Sequence, residues 1–159
     1  MQVPESRLFS FRSEFHESVL AVLARSRHTL AFSGNDFSDW PLESAEAFEH
    51  LSRLLRQAGS SLRLVVHSPD WLDRRGVRFR HLRTTFAGRL ECRQAPPEIA
   101  PGECLLIGDG MHLLRRAHYQ AFRGRLQLGM PQEAEPWRRK YDLLWKQSAP
   151  CLPPSTTGL

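Results

Sequence analysis

Two apolar runs, Cys104–Ile107 and Met111–Leu114, flank an Asp109-Gly110 pair, and no other stretch limits the fold of this chain so tightly. Asp-Gly between hydrophobic runs is the chemistry of a tight turn with positive φ at both central positions, so the runs are predicted to be antiparallel strands of one hairpin. Because each run is apolar without alternation, the hairpin is expected to be buried on both faces of its sheet.

The chain ahead of the hairpin alternates helical and strand patterns. Phe15, Val19, Val22 and Leu23 are spaced for an amphipathic helix over 12–25. Thr29–Ser33 is a short apolar strand stopped by Gly34-Asn35-Asp36. Phe48, Leu51, Leu54, Leu55 and Ala58 form one stripe of a second helix, with Gly59 placed to end it. Leu62–His67 is a buried strand, and Ser68-Pro69 opens a helix that weakens at Gly76 and resumes through Phe79, Leu82 and Phe86. Arg89–Arg93 alternates as a strand with one wet face. After the hairpin come a last strand over 122–128 and a helix opened by Pro131, with Trp137, Tyr141, Leu144 and Trp145 on one face. Alternation in the first half requires parallel pairing, and the hairpin requires an antiparallel pair. The expected class is α/β, a mixed, mostly parallel sheet with helices on both faces. One domain is expected over 1–149, followed by an extended tail over 150–159 whose prolines exclude a helix.

A chain of 159 residues with 41% hydrophobic content is long enough to bury a real core. The start has no basic segment followed by an apolar one, and no run approaches the roughly 20 apolar residues needed to span a bilayer. A cytoplasmic protein without membrane contact is expected. Of the 22 basic residues only Lys140 and Lys146 are lysines, and the net charge is +5. Arginine suits bidentate contact with phosphate or carboxylate, and Arg74, Arg75, Arg78, Arg80, Arg83, Arg89 and Arg93 fall close together. The competing reading is an ordinary solvated surface. Cys92, Cys104 and Cys151 are odd in number and far apart, which supports neither a disulfide framework nor a zinc site; all three are expected to be buried, reduced thiols, with Cys92 and Cys104 on strands that could be neighbours.

The hairpin also resembles the active-site hairpin of the phospholipase D-like phosphodiesterases, whose signature is His-x-Lys-x4-Asp with the Asp ending the strand. Counting back from Asp109 puts Gly102 at the nucleophilic His and Cys104 at the Lys. The resemblance implies one half of that fold over residues 8 to 147, with the two halves of a complete site supplied by a homodimer. No His-x-Lys exists anywhere in the chain, since Arg138 and Leu144 precede the two lysines by two positions. Without the imidazole the covalent route is closed, so a catalytically inactive domain is expected. The chain is also similar to a group of bacterial domains in Asp36-Phe37-x-x-Trp40-Pro41-Leu42, Glu91-Cys92-Arg93, Arg115 and Thr156-x-Gly158-Leu159, and some of that group are joined to an acetyltransferase.

Other enzyme signatures fail: the third glycine of a dinucleotide fingerprint is missing after Gly108 and Gly110, and no phosphate-binding loop, nucleophile elbow or His-Glu-x-x-His occurs. Neither a cofactor nor a metal is expected. The residues placed for binding are Asp36, Asp39 and Trp40 in the loop after the first apolar strand, His67 at the end of the next, and Arg93, Arg115, Arg116 and Asp109. For Asp109 the plainer role is the turn itself and bonds to nearby backbone; for Trp40 it is core packing. Three functions are open: a module for an anionic ligand or a protein partner; an arginine-rich nucleic-acid binder, less favoured; and a hydrolase in which Asp36, Asp39, His67 and Asp109 converge.

Overall fold

The computed structural model describes residues 3–154. Its centre is the predicted hairpin, β5 (Cys104–Gly108) and β6 (His112–Arg116), turning through Asp109 at φ 53° and Gly110 at φ 67°. Positive φ at both positions is what Asp-Gly supplies. All five residues of β5 are buried. Leu106 faces a cluster built with Phe15, Val22 and Leu54, while Leu105 and Ile107 face a second one with Tyr141 and Trp145. The sheet therefore carries helices on both faces, as expected of an unalternating apolar strand.

The remaining elements run β1 (Glu5–Phe9), α1 (Arg12–Arg25), β2 (Thr29–Gly34), a short 3-10 turn (Pro41–Glu43), α2 (Ala45–Leu55), β3 (Ser61–Val66), α3 (Asp70–Arg75), α4 (Val77–Thr85) and β4 (Leu90–Gln94) ahead of the hairpin. Behind it come β7 (Gly124–Leu128), α5 (Pro131–Gln147) and β8 (Ala149–Cys151). They form one eight-stranded mixed sheet in the order β1-β7-β6-β5-β2-β3-β4-β8. Helices α1, α2 and α4 cover one face and α5 the other.

Parallel pairing is confined to β2–β3 and β3–β4; the other five ladders are antiparallel. The expected mostly parallel sheet is corrected here. Helices return the chain to a parallel neighbour only after β2 and β3; β5 runs antiparallel to β2, short connections make β5–β6 and β6–β7 antiparallel, and β8, reached through α5, runs antiparallel to β4 at the far edge. Strands β1 and β8 carry no local sequence signal, and β8 takes residues 149–151 of the expected tail into the sheet. In β1 only Phe9 is buried, so no period-two pattern is visible; its pairing with β7 makes it a strand. β8 holds Pro150, tolerated because it lies on a sheet edge. The Thr156-x-Gly158-Leu159 feature lies outside the described residues.

The arginines have largely internal work. Arg53 donates to the carbonyls of Leu23, Ala24 and Ser26 at the end of α1. Arg89 donates to Leu55 at the end of α2 (2.6 Å), Arg93 to Trp145 near the end of α5 (2.9 Å), and Arg80 to Asp73 in α3. Helix C-termini leave carbonyls without intrahelical partners and carry partial negative charge, so guanidinium forks satisfy both demands. Arg83 is 4% exposed. Of the arginines read as a possible anion-binding face, Arg83 is buried, Arg80, Arg89 and Arg93 are half-buried and tied to main-chain carbonyls, and Arg78 is bonded to the Glu43 carbonyl.

His112 gives a pH prediction. It is 1% exposed, and its Nδ1 accepts the N–H of Gly129 at 2.9 Å, which requires an unprotonated Nδ1. Burial lowers its pKa from 6.5, with Arg25 adding to the shift and Asp109 opposing it. The unfolded chain thus binds this proton more tightly than the folded one. The stability contribution is complete above the unfolded pKa and falls as pH drops below it toward the folded value. Urea unfolding between about pH 7.5 and 5.5 is expected to show this loss, and His112→Asn, which keeps an acceptor for Gly129, to flatten it. Equal pH slopes in both proteins would remove His112 as the cause.

Candidate functional site

The carboxyl ends of β2, β3 and β4 meet the start of β5 and the end of β6, because β2 pairs antiparallel with β5 in the register Ser33↔Leu105. Gly102 and Cys104 stand at this end of the sheet, and the Asp109 turn stands at the other. The loop after β2 is shaped by Phe37 at φ 66° and by Asp36, whose carboxylate accepts both the N–H and the hydroxyl of Ser38. Trp40 is 4% exposed and packs on Phe15, Phe32 and Phe37. The capping role falls to Ser44, whose hydroxyl accepts the N–H of Ala47.

Asp39 turns inward to a partner that the sequence did not reveal. Arg116 is 1% exposed and donates through Nη2 to the Asp39 carboxylate at 2.7 Å and to the Tyr119 carbonyl at 2.6 Å, and through Nε to the Ala121 carbonyl at 2.5 Å. Its guanidinium lies between the rings of Phe15 and Phe122, 4.8 and 4.4 Å from their centroids. Beside this pair lies a polar cavity of about 250 Å³ lined by Asn35, Asp36, Ser38, Cys104 and Tyr119. The Cys104 thiol is pushed up to about 12, mainly by burial, with Arg116 opposing. A thiol held protonated in this way is a poor nucleophile.

On the α5 side of the same end, a groove of about 360 Å³ is lined by Ser33, His67, Gly102, Glu103, Lys140 and Tyr141. It adjoins a second hollow of about 630 Å³ that shares His67 and Ile99 and reaches Gln94 and Pro97. His67 Nδ1 lies 3.3 Å from the Gly34 carbonyl, to which it can only donate, and Nε2 has no hydrogen-bond partner. Lys140 and Arg115 both reach Glu103, at 2.8 and 3.5 Å. Arg115 stacks on Trp137 at 3.6 Å, and Arg93 stacks on Trp145 at 4.2 Å.

Of the residues read as site-like, the structure gathers Asp36, Asp39, Trp40, His67 and Arg116 at one end of the sheet. Arg93 and Arg115 are not at the mouth of adjacent strands: β3, β2 and β5 lie between β4 and β6. Both instead clamp α5. Asp109 is at the opposite end, where its carboxylate accepts the N–H groups of Arg27, His28 and Thr29 at 2.8, 2.8 and 3.0 Å. That is roughly a strand length, about 17 Å, from Asp36, so the site of Asp36, Asp39, His67 and Asp109 is not assembled. The strands of Cys92 and Cys104 are not neighbours. Cys92 is separated from Cys104 by β3 and β2 and stands opposite Cys151. Ser33, Glu103 and Lys140, which line the groove beside His67, carry no local signal in the sequence; their meeting depends on α5 lying across β5.

A mixed sheet of this order, with its central hairpin ending at a cleft, is a phospholipase D-like fold. Solved structures with the same fold include TrmBL2, an archaeal chromatin protein with a novel mode of DNA binding (TM-score 0.67, 13% identity, covering 95% of this chain and 56% of that one). They also include Nuc from Salmonella typhimurium, a phospholipase D family member (0.66, 12%, covering 94% and 99%), and NucT from Helicobacter pylori (0.66, 10%, covering 94% and 100%). The chain thus spans a little over half the length of TrmBL2. At these identities the likeness is one of fold. The chain belongs to the family described as Domain of unknown function (DUF7931), which matches residues 12–153. No curated protein matches its sequence. Among the described residues no helix is long and apolar enough to cross a membrane.

Proposed function

We propose that this chain is a single catalytically degenerate phospholipase D-like domain, closed by β8 rather than ending at residue 149, that binds a ligand or partner where relatives of its fold carry out chemistry. The observation that carries this reading is the occupancy of the cleft. Gly102 and Cys104 replace the imidazole and the amine, the thiol is buried and protonated, and Arg116 is committed to Asp39. The groove around His67 remains, with Ser33 and Lys140 as donors for an anionic group. Asp36, next to the polar cavity, is the second binding element. The domain acts in the cytoplasm, as a homodimer or joined to a partner such as an acetyltransferase.

The purified chain is expected to leave bis(p-nitrophenyl) phosphate intact at a rate indistinguishable from buffer, and to bind inorganic phosphate or a phosphodiester in calorimetric titration with loss of heat in His67→Ala and Lys140→Ala. Hydrolysis abolished by His67→Ala would sink the binding reading. A monomer by light scattering at micromolar concentration would remove the homodimer. Nucleic-acid binding is a second reading, favoured by the likeness in fold to a DNA-binding chromatin protein. It predicts affinity falling steeply with salt, and absence of any oligonucleotide shift at low salt would end it.

A further inference from the structure

Three cysteines scattered in sequence become a pair and a remainder in the fold. The register Cys92↔Cys151, Arg93↔Pro150, Gln94↔Ala149 sets two thiols directly opposite each other on the edge ladder between β4 and β8. Opposed residues of an antiparallel ladder point to the same face, and both side chains lie against the cluster that includes Leu64 and Leu90. Pro150 has no N–H, so Arg93↔Pro150 takes the non-hydrogen-bonded position. Alternation then makes Cys92↔Cys151 a hydrogen-bonded pair, whose Cα atoms are about 5.5 Å apart. Disulfides most often join Cα atoms at about that separation. Cys104 is excluded from the pairing, because three strand spacings, about 14 Å, divide β5 from β4.

We propose that Cys92 and Cys151 form a reversible disulfide that fastens the C-terminal strand β8 to β4, with a small-molecule disulfide such as oxidised glutathione as the oxidant. The half-buried Cys151 is the entry point. Its thiolate attacks one sulfur of the oxidant, that S–S bond breaks, and one glutathione thiolate leaves and takes up a proton. The Cys92 thiolate then attacks the Cys151 sulfur of the mixed disulfide and expels the second glutathione. Two protein thiols are oxidised and one small disulfide is reduced to two thiols. Burial pushes Cys92 up to about 12 and Cys151 up to about 11, so thiolate is scarce near neutrality and the reaction quickens as pH rises. In the reduced chain three residue pairs hold β8 on the edge. In the oxidised chain a covalent bond keeps the edge of β4 covered, beside a hollow of about 570 Å³ lined by Arg63, Arg89, Cys92 and Cys151. The inference stands whether or not the His67 groove holds a ligand.

The test is to incubate the native full-length chain with oxidised glutathione at mildly alkaline pH, block free thiols, digest with trypsin without reduction and identify linked peptides by mass. The expected product joins the Leu90–Arg93 fragment to the one beginning at Gln147, and reduction releases both. Cys104→Ser is expected to preserve the link, and Cys92→Ser and Cys151→Ser to abolish it. The oxidised wild type is expected to unfold at higher urea than the reduced protein, and Cys151→Ser to show no such difference. A glutathione adduct that persists on Cys151, chains joined between molecules, or no reaction under conditions where the urea-unfolded chain reacts would each overturn the proposal.

Discussion

Arg116→Ala is expected to lower stability by roughly 3–5 kcal/mol, the usual cost of removing one partner of a buried ion pair. Four contacts disappear together: the Asp39 carboxylate, the Tyr119 and Ala121 carbonyls, and the space between Phe15 and Phe122. Arg116→Met keeps much of that packing. Because the Asp39 side chain is 30% exposed it can rehydrate, so the methionine variant is expected to lose clearly less than the alanine variant. Asp39→Asn retains an acceptor and removes the charge, at a cost of about 1–3 kcal/mol. Urea unfolding midpoints of the four proteins check the order. An alanine variant within about 1 kcal/mol of wild type would mean that Arg116 is not structural and is free for a ligand after all. The measurement therefore separates a residue that builds the cleft from one that serves it.

Asp109→Ala is expected to cost about 2–4 kcal/mol, because three backbone N–H groups lose a charged acceptor and alanine resists the positive φ of the turn. Asp109→Asn tolerates that φ and retains a carbonyl acceptor, so its loss is expected to be about half as large. Asp109→Gly relieves the backbone without restoring the acceptor and is expected to resemble alanine more than asparagine. Thermal or urea unfolding distinguishes these cases. If all three variants unfold like wild type, the carboxylate is not holding the chain between α1 and β2, and a functional role at that end of the sheet has to be reconsidered.

Helices α1, α2 and α5 were legible because their apolar spacing is a local property, and β5–β6 because Asp-Gly specifies its own turn. The break at Gly76 that divides α3 from α4 was visible for the same reason. β1 was not, since Glu5-Ser-Arg-Leu carries no buried residue and becomes a strand through β7. Trp40 illustrates a choice that sequence leaves open: an indole in a loop after a strand suits either stacking on a ligand or sealing a core, and the ring of Phe37, 4.9 Å away, decides for the core. Asp109 is the turn residue that Asp-Gly predicts, but in place of nearby backbone its hydrogen-bond partners are distant in sequence. They are the backbone at 27–29, brought to it by the pairing of β2 with β5.

The order of residues alone determined the central hairpin, the helical faces and the absence of any His-x-Lys pair, since each is written within a few consecutive positions. Tertiary structure decided which group answers each charge. Arg116 meets Asp39 across 77 positions and Asp109 meets Arg27 across 82. Such pairings follow from strand order and from the antiparallel return of β5 onto β2, and no local periodicity encodes either, because a strand's own pattern records which face is buried and not which strand lies beside it.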